Sequence, residues 1–259
     1  MEQLRSIIDL QAHALGDTGF RARARETLDS HGVLVLRNFL SASALAAIRQ
    51  EGVDNSGKAF FAKSSHNVYL KPADETLPAD HARNRTVESS KGCITDEDIP
   101  SDSPLRTLYN APMFHEFLCA VLNEAQVFPY ADRLSSINLH YAHTGQELGW
   151  HFDNSSFAIT LLIQKPSAGG VFEYVENLRD ADRGDMNYSA VAQALDGHAE
   201  VRQLSMDAGD LVLFRGRNAM HRVTPTLGDI TRMLVVLAYN AQPGVALSES
   251  ARMTFYGRL

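Results

Sequence analysis

Gly209-Asp210-Leu211-Val212-Leu213-Phe214 reads as a turn that opens into a short apolar β-run. Runs of the same kind surround it: Ser135–Tyr141, Phe157–Gln164, Val171–Val175 and Val201–Leu204 before it, and Ile230–Asn240 after it, separated by Gly, Pro and Asp. Short strands bounded by turn residues in this way predict a mainly β architecture of the jelly-roll or related double-sheet kind. The polar insertion Glu176 to Glu200 interrupts the series and is expected to carry a short helix around Ala190–Leu195.

Outward from this region, the N-terminal half changes character. A charged, helix-forming pattern spans the region from Phe20 to Leu28, and Val33-Leu34-Val35-Leu36 is β-like. Ser41 stands where it can cap the alanine-rich stretch through Ile48. From about Lys63 to Pro104 the chain is polar, with Pro72, Pro78, Pro100 and Pro104 and no sustained period. A stretch too long for an ordinary connection is expected to form a lid or binding loop. The expected organisation is one domain over 1–259, with 1–128 as helical support and polar lid loop, 129–240 as β core, and 241–259 as a C-terminal tail.

With 259 residues the chain can bury a substantial core within the size range of one domain. Its 44% hydrophobic and 21% charged residues are ordinary globular usage, far from the signature of disorder. A formal net charge of −7, with the signs interspersed, leaves no basic footprint for nucleic acid or an anionic membrane, so a small molecule is the expected partner. Cys93 and Cys119 are the two cysteines, too few for a disulfide framework or structural zinc, which fits a reducing cytoplasm. Met1-Glu2-Gln3-Leu4-Arg5 lacks the basic-then-apolar pattern of an export signal, and no apolar run reaches the roughly 18 residues of a membrane span. Neither export nor membrane insertion is expected.

His151-Phe152-Asp153 places two metal-ligand types at i and i+2, which on an extended strand project to one face, with Phe152 pointing the other way. His221, in Ala219-Met220-His221-Arg222-Val223, sits on a further candidate strand and can supply a third ligand. Two histidines and one carboxylate leave several positions of an octahedral ion open, which suits Fe(II) chemistry, whereas zinc hydrolysis needs one. Arg232 opens the apolar run Met233–Ala238 and by alternation shares a face with Leu234, Val236 and Ala238. A guanidinium buried there needs an anionic partner, either a bound carboxylate or a structural ion pair.

Gly149-Trp150-His151-Phe152-Asp153, the Gly209–Phe214 run, His221 and Arg232 together resemble the Fe(II)/2-oxoglutarate-dependent oxygenases, over roughly Tyr130 to Asn240. The resemblance implies a double-stranded β-helix, a jelly-roll (cupin-like) variant with flanking helices. It also implies Fe(II) on His151, Asp153 and His221, with 2-oxoglutarate and O2 as cosubstrates. Arg232 would then hold the remote carboxylate of 2-oxoglutarate through charge-assisted hydrogen bonds. Many members carry a serine or threonine two residues after that arginine. Here Leu234 stands in its place, so the hydroxyl contact is sought in Tyr141, Thr160 or Thr224.

More narrowly, Trp150 to Asn154, Gly169 to Val175 and Phe214 to Arg217 are similar to bacterial enzymes that halogenate or hydroxylate free amino acids such as lysine. In those halogenases glycine or alanine replaces the carboxylate ligand and frees a position for chloride, so Asp153 implies hydroxylation instead. A free basic amino acid needs a cation for its carboxylate and acids for its side-chain ammonium. Arg85, His140, Glu147 and Asn154 are the candidates, each equally readable as a solvated surface residue. Other readings stay open: the same oxygenase acting on another small metabolite, or a cupin-like metalloenzyme without 2-oxoglutarate. A non-catalytic β-sandwich with Trp150, Phe152 and Tyr174 forming a ligand groove is a further alternative.

Overall fold

A computed structural model describes residues 2–259. The helices are α1 (Glu2–Ile7), α2 (Thr18–His31), α3 (Ala42–Asn55), α4 (Pro104–Tyr109), α5 (Pro112–Leu122), α6 (Tyr188–Leu195) and α7 (Glu249–Tyr256). Their starts have local causes. Asp17 and Ser41 accept the backbone N–H of Phe20 and Ala44 ahead of α2 and α3, while α4 and α5 open on Pro104 and Pro112, where the missing N–H costs nothing. Ser41 is thus the cap its position predicts.

The strands in chain order are β1 (Val33–Leu36), β2 (Phe60–Asn67), β3 (Thr86–Ile94), β4 (Ile137–Ala142), β5 (Leu148–His151), β6 (Ala158–Gln164) and β7 (Ala168–Gly169). They continue with β8 (Phe172–Val175), β9 (Arg202–Leu204), β10 (Leu211–Phe214), β11 (Met220–Val223), β12 (Thr226–Leu227) and β13 (Arg232–Leu237). A seven-stranded sheet runs β1-β10-β6-β13-β4-β3-β2 and a four-stranded sheet runs β5-β11-β8-β9, with β12 and β7 paired separately. The pairings are antiparallel, and the two larger sheets form the double-stranded β-helix that the sequence implies.

Strand alternation assigns each face of the large sheet its role. Met233, Val235 and Leu237 of β13 and Leu211 and Leu213 of β10 join Leu108, Phe114, Phe117 and Tyr141 in a core backed by the N-terminal helices. Each such side chain buried contributes about 1.5–3 kcal/mol. The opposite face, carrying Arg232, Leu234 and Val236, looks into the space between the two sheets. On the outer side of the small sheet, Trp150, Phe152, Val175 and Met220 pack under α6 with Val68 and Tyr69.

Two expectations are corrected. The polar stretch from Lys63 to Pro104 is not one open loop: β2 and β3 form a hairpin-like pair that extends the large sheet beyond β4, leaving the segment between Asn67 and Thr86 outside strands. Its strands escape the sequence pattern because β2 is exposed or partly exposed up to the buried polar Asn67 at its end, so no apolar face marks it. The segment 241–259 is not a plain tail either. It contains α7, and Leu247, Phe255 and Tyr256 wall the central cavity. Helix α6 contains the short helix expected around Ala190–Leu195. No helix among the described residues is long and apolar enough to cross a membrane.

Candidate active site

His151 ends β5, His221 stands on β11, and the two are direct cross-strand partners with ring centroids 4.1 Å apart. Each ring is oriented by its own backbone: His151 Nδ1 lies 2.8 Å from Gly149 O, and His221 Nδ1 lies 3.0 Å from Ala219 O. A carbonyl oxygen only accepts, so Nδ1 carries the proton and Nε2 keeps its lone pair in both rings. Both Nε2 atoms face Asp153 Oδ1, at 3.8 Å and 3.6 Å. One ligand atom from each of the three residues lies within 4.8 Å of the others.

Asp153 reaches this point by a different route from the one alternation predicts. β5 stops at His151, and Asp153 lies beyond it, its N–H donating to Gly216 O at 3.0 Å. Arginines clamp the turn: Arg179 Nη2 reaches Asp153 O at 3.4 Å and Arg217 Nη1 donates to Asn154 O at 2.9 Å. Phe152 does turn away from the histidines, packing against Tyr69 with the Arg179 guanidinium 4.1 Å over its ring. Arg179 carries no sequence signal, and Arg217 is marked only by belonging to the Phe214–Arg217 stretch of the resemblance.

The donor set fits a divalent cation. Asp153 Oδ2 is buried without a hydrogen-bond partner, a costly state for a carboxylate oxygen unless a positive charge meets it. Burial, with help from His221, pushes His151 down to about 3, so its ring is neutral and able to ligate. Burial works to raise the Asp153 carboxyl, but positive charge placed on the histidine side of the site and on the more distant Lys91 outweighs it, so the net shift is downward and the site favours a cation beside this carboxylate. Gly216 completes the cradle, since a Cβ there would overlap Asp153 Oδ2 and come within 2.9 Å of His221 Cε1.

The three residues open onto a cavity of about 280 Å³ between the sheets. Its wall is largely apolar, built from Leu234 and Val236 of β13, Val212 and Phe214 of β10, Phe172 of β8 and Phe255 of α7. Arg232 faces it as alternation predicts, buried at 7% exposure, and makes neither an ion pair nor a hydrogen bond among the described residues. Burial pulls its guanidinium down to about 10, which leaves it charged at neutral pH. Gly170, at φ 59°, makes room for it: a Cβ there would stand 2.9 Å from Arg232 Cδ.

The remaining candidates divide. Thr160 and His140 line the cavity. Tyr141 does not: it lies on the helix-backed face and donates its hydroxyl to Gly52 O at 2.6 Å, because neighbouring residues of a strand face opposite ways. Thr224 is turned to the backbone, its Oγ1 accepting the Val171 N–H at 2.9 Å. Arg85 pairs with Asp196 at 2.8 Å, Glu147 pairs through its backbone with Ser90, and Asn154 is exposed. None of these three lines the cavity. Lys91, which the sequence reading passes over, does line it, with Nζ 3.1 Å from His140 Nδ1.

The family model described as Halogenase D matches residues 17–254. No curated protein matches the chain in sequence. Among solved structures, the non-haem α-ketoglutarate-dependent epimerase SnoN from nogalamycin biosynthesis superposes with a TM-score of 0.60 at 13% identity, covering 86% of this chain and 84% of that one. A 2OG-Fe(II) oxygenase family protein from Burkholderia pseudomallei gives 0.56 at 14% identity, covering 88% and 94%. A prolyl-4-hydroxylase from Pseudomonas putida gives 0.52 at 13% identity, covering 83% and 96%. At these identities the likeness is one of fold.

Proposed function

The chain belongs to the Halogenase D family, and on that premise we propose that it is a 2-oxoglutarate-dependent oxygenase that hydroxylates an unactivated carbon of a small molecule. The observation that carries this reading is the His151–Asp153–His221 cluster, opening onto a cavity that also contains a buried Arg232 with no anionic partner.

Nε2 of His151, Nε2 of His221 and the Asp153 carboxylate would hold the iron. When bound, iron with 2-oxoglutarate and O2 supplies the oxidising chemistry that breaks a C–H bond. The chain's own contribution is placement. The backbone carbonyls of Gly149 and Ala219 set which nitrogen of each imidazole ligates. Arg232 orients the cosubstrate through its remote carboxylate; Thr160, the one of the three hydroxyl candidates that lines the cavity, stands opposite Val236, four residues along β13 from Arg232. The apolar wall excludes water from the reacting carbon and holds it in place.

Within a family named for halogenation, Asp153 favours hydroxylation, because its carboxylate would take the ligand place that a glycine or alanine leaves free for a halide. The free amino acid substrate rests on the likeness of Trp150 to Asn154, Gly169 to Val175 and Phe214 to Arg217 to enzymes of free amino acids. A basic side chain such as that of lysine has no support in the lining, where Asp153 is the one carboxylate among the described residues. The test is anaerobic reconstitution with Fe(II) and 2-oxoglutarate, followed by exposure to O2 with a panel of free amino acids and excess chloride. Substrate-stimulated succinate and a product heavier by one oxygen are expected. A chlorinated product would transfer the reading to halogenation, and absence of any stimulation would remove the amino acid.

A further inference from the structure

The cavity holds a second cation that the oxygenase reading leaves without a task. Lys91 stands on β3, His140 on the adjacent β4 and Arg232 on β13 beyond it, all on the inner face of the large sheet. Gly92 pairs with Tyr141 and Arg232 with Ala142, so Lys91 and Arg232 sit nearly level, two strand spacings or roughly 10 Å apart along the sheet. They are separate positions, and one small carboxylate group does not satisfy both.

Lys91 forms no ion pair among the described residues. Its Nζ meets His140 Nδ1 at 3.1 Å and the Phe255 ring at 5.6 Å. As an ammonium, a form that burial disfavours and an entering anion would favour, Lys91 only donates, so His140 then accepts through Nδ1 and its proton lies on Nε2. The pair therefore offers the cavity two kinds of donor, Lys91 Nζ–H and His140 Nε2–H, and no acceptor. Other polar groups nearby are already engaged: Asn138 donates to Leu134 O and Ile137 O and accepts from the Tyr256 hydroxyl, and Ser135 donates to Asp132. Two cations share a wall whose single carboxylate, Asp153, faces the histidines, an arrangement that is costly until anions enter.

We propose that Lys91 and His140 form the seat for the substrate's carboxylate, and that the substrate is a small acid with an apolar, uncharged body lying against Leu234, Val236 and Phe255. The inference rests on the oxygenase reading in that Arg232 is thereby reserved for the cosubstrate. A basic group at the far end of that body would meet no acid along the apolar wall, because Asp153, the one carboxylate of the lining, faces the histidines.

The experiment uses the anaerobic protein loaded with Fe(II) and 2-oxoglutarate, and measures by calorimetry the binding of norleucine, hexanoate, norleucinamide and lysine. Binding of 2-oxoglutarate to the wild-type protein is measured first, and its failure contradicts the functional reading without touching the carboxylate seat, which is then read on the unloaded protein. Norleucine or hexanoate is expected to bind, with norleucinamide and lysine weaker by about tenfold or more. Equal binding of hexanoate and norleucine assigns a simple acid, whereas preference for norleucine assigns an apolar amino acid, and both support the seat. Lys91→Met should weaken the acids by about tenfold or more while changing 2-oxoglutarate affinity less than about twofold, and Lys91→Arg should recover most of the loss. Thermal melting of each variant verifies the fold. Norleucinamide binding as well as norleucine, lysine binding tightest, no probe binding, or a Lys91→Met effect confined to 2-oxoglutarate would each overturn the proposal.

Discussion

The two faces of β13 belong to the same six residues and do opposite things. Met233, Val235 and Leu237 close a helix-backed hydrophobic core, whereas Arg232, Leu234 and Val236 face a cavity where a guanidinium lies buried without a counterion. β10 divides in the same way, with Leu211 and Leu213 in the core and Val212 and Phe214 on the cavity. The core face is optimised for stability. The cavity face carries unsatisfied charge that only a ligand removes, which is how a binding site differs physically from a core.

That contrast can be broken most severely at the metal cluster. His221→Ala or His151→Ala should abolish iron-dependent turnover while leaving the melting temperature of the metal-free protein nearly unchanged. Activity assays and thermal unfolding on the same preparation measure both, and full activity in either variant removes that residue from the ligand set. On the core face, Leu213→Ala should lower stability by about 2–5 kcal/mol because its site is fully buried and rigidly backed. Denaturant unfolding reads this loss, and the variant's affinity for 2-oxoglutarate should stay close to wild type.

Arg232→Met reverses the pattern. Losing a charge-assisted contact of roughly 1.5–3 kcal/mol should raise the 2-oxoglutarate requirement by about 10- to 100-fold. Removing a buried cation with no partner should leave the ligand-free protein as stable or more so. A variant that melts lower with an unchanged cosubstrate requirement would make Arg232 structural. The smallest effect is expected at Tyr256→Phe, which deletes one hydrogen bond to Asn138 Oδ1 and should cost about 1 kcal/mol. Thermal unfolding measures it, and an unchanged 2-oxoglutarate affinity would show that α7 is a wall of the cavity rather than part of the cosubstrate site.

What was readable in the sequence follows from how strongly each element is marked. β6, β10 and β13 announce themselves as apolar runs between turn residues, and the His-x-Asp spacing with a distant histidine brings out the metal cluster. β2 is hidden because an edge strand with almost no buried side chain has no apolar face to reveal it, and β3 because its buried residues, Ser89 and Gly92 to Ile94, do not alternate. His140 and Tyr141 could not both line one cavity, and only the position of the helices decides that Tyr141 is the one turned away. Lys91 lay inside a stretch that reads as loop, so its partnership with His140 across two strands had no local signature. Asp153 is a ligand candidate placed by a turn and two arginine clamps rather than by strand alternation, a route that i, i+2 spacing does not disclose.

The most direct test of the central claim is anaerobic titration of 2-oxoglutarate into the wild-type protein with and without Fe(II), repeated with His221→Ala. The account predicts one iron per chain, 2-oxoglutarate binding that strengthens when iron is present, and loss of that iron dependence in the variant. Binding of 2-oxoglutarate that ignores iron, or iron retained equally by His221→Ala, would contradict it.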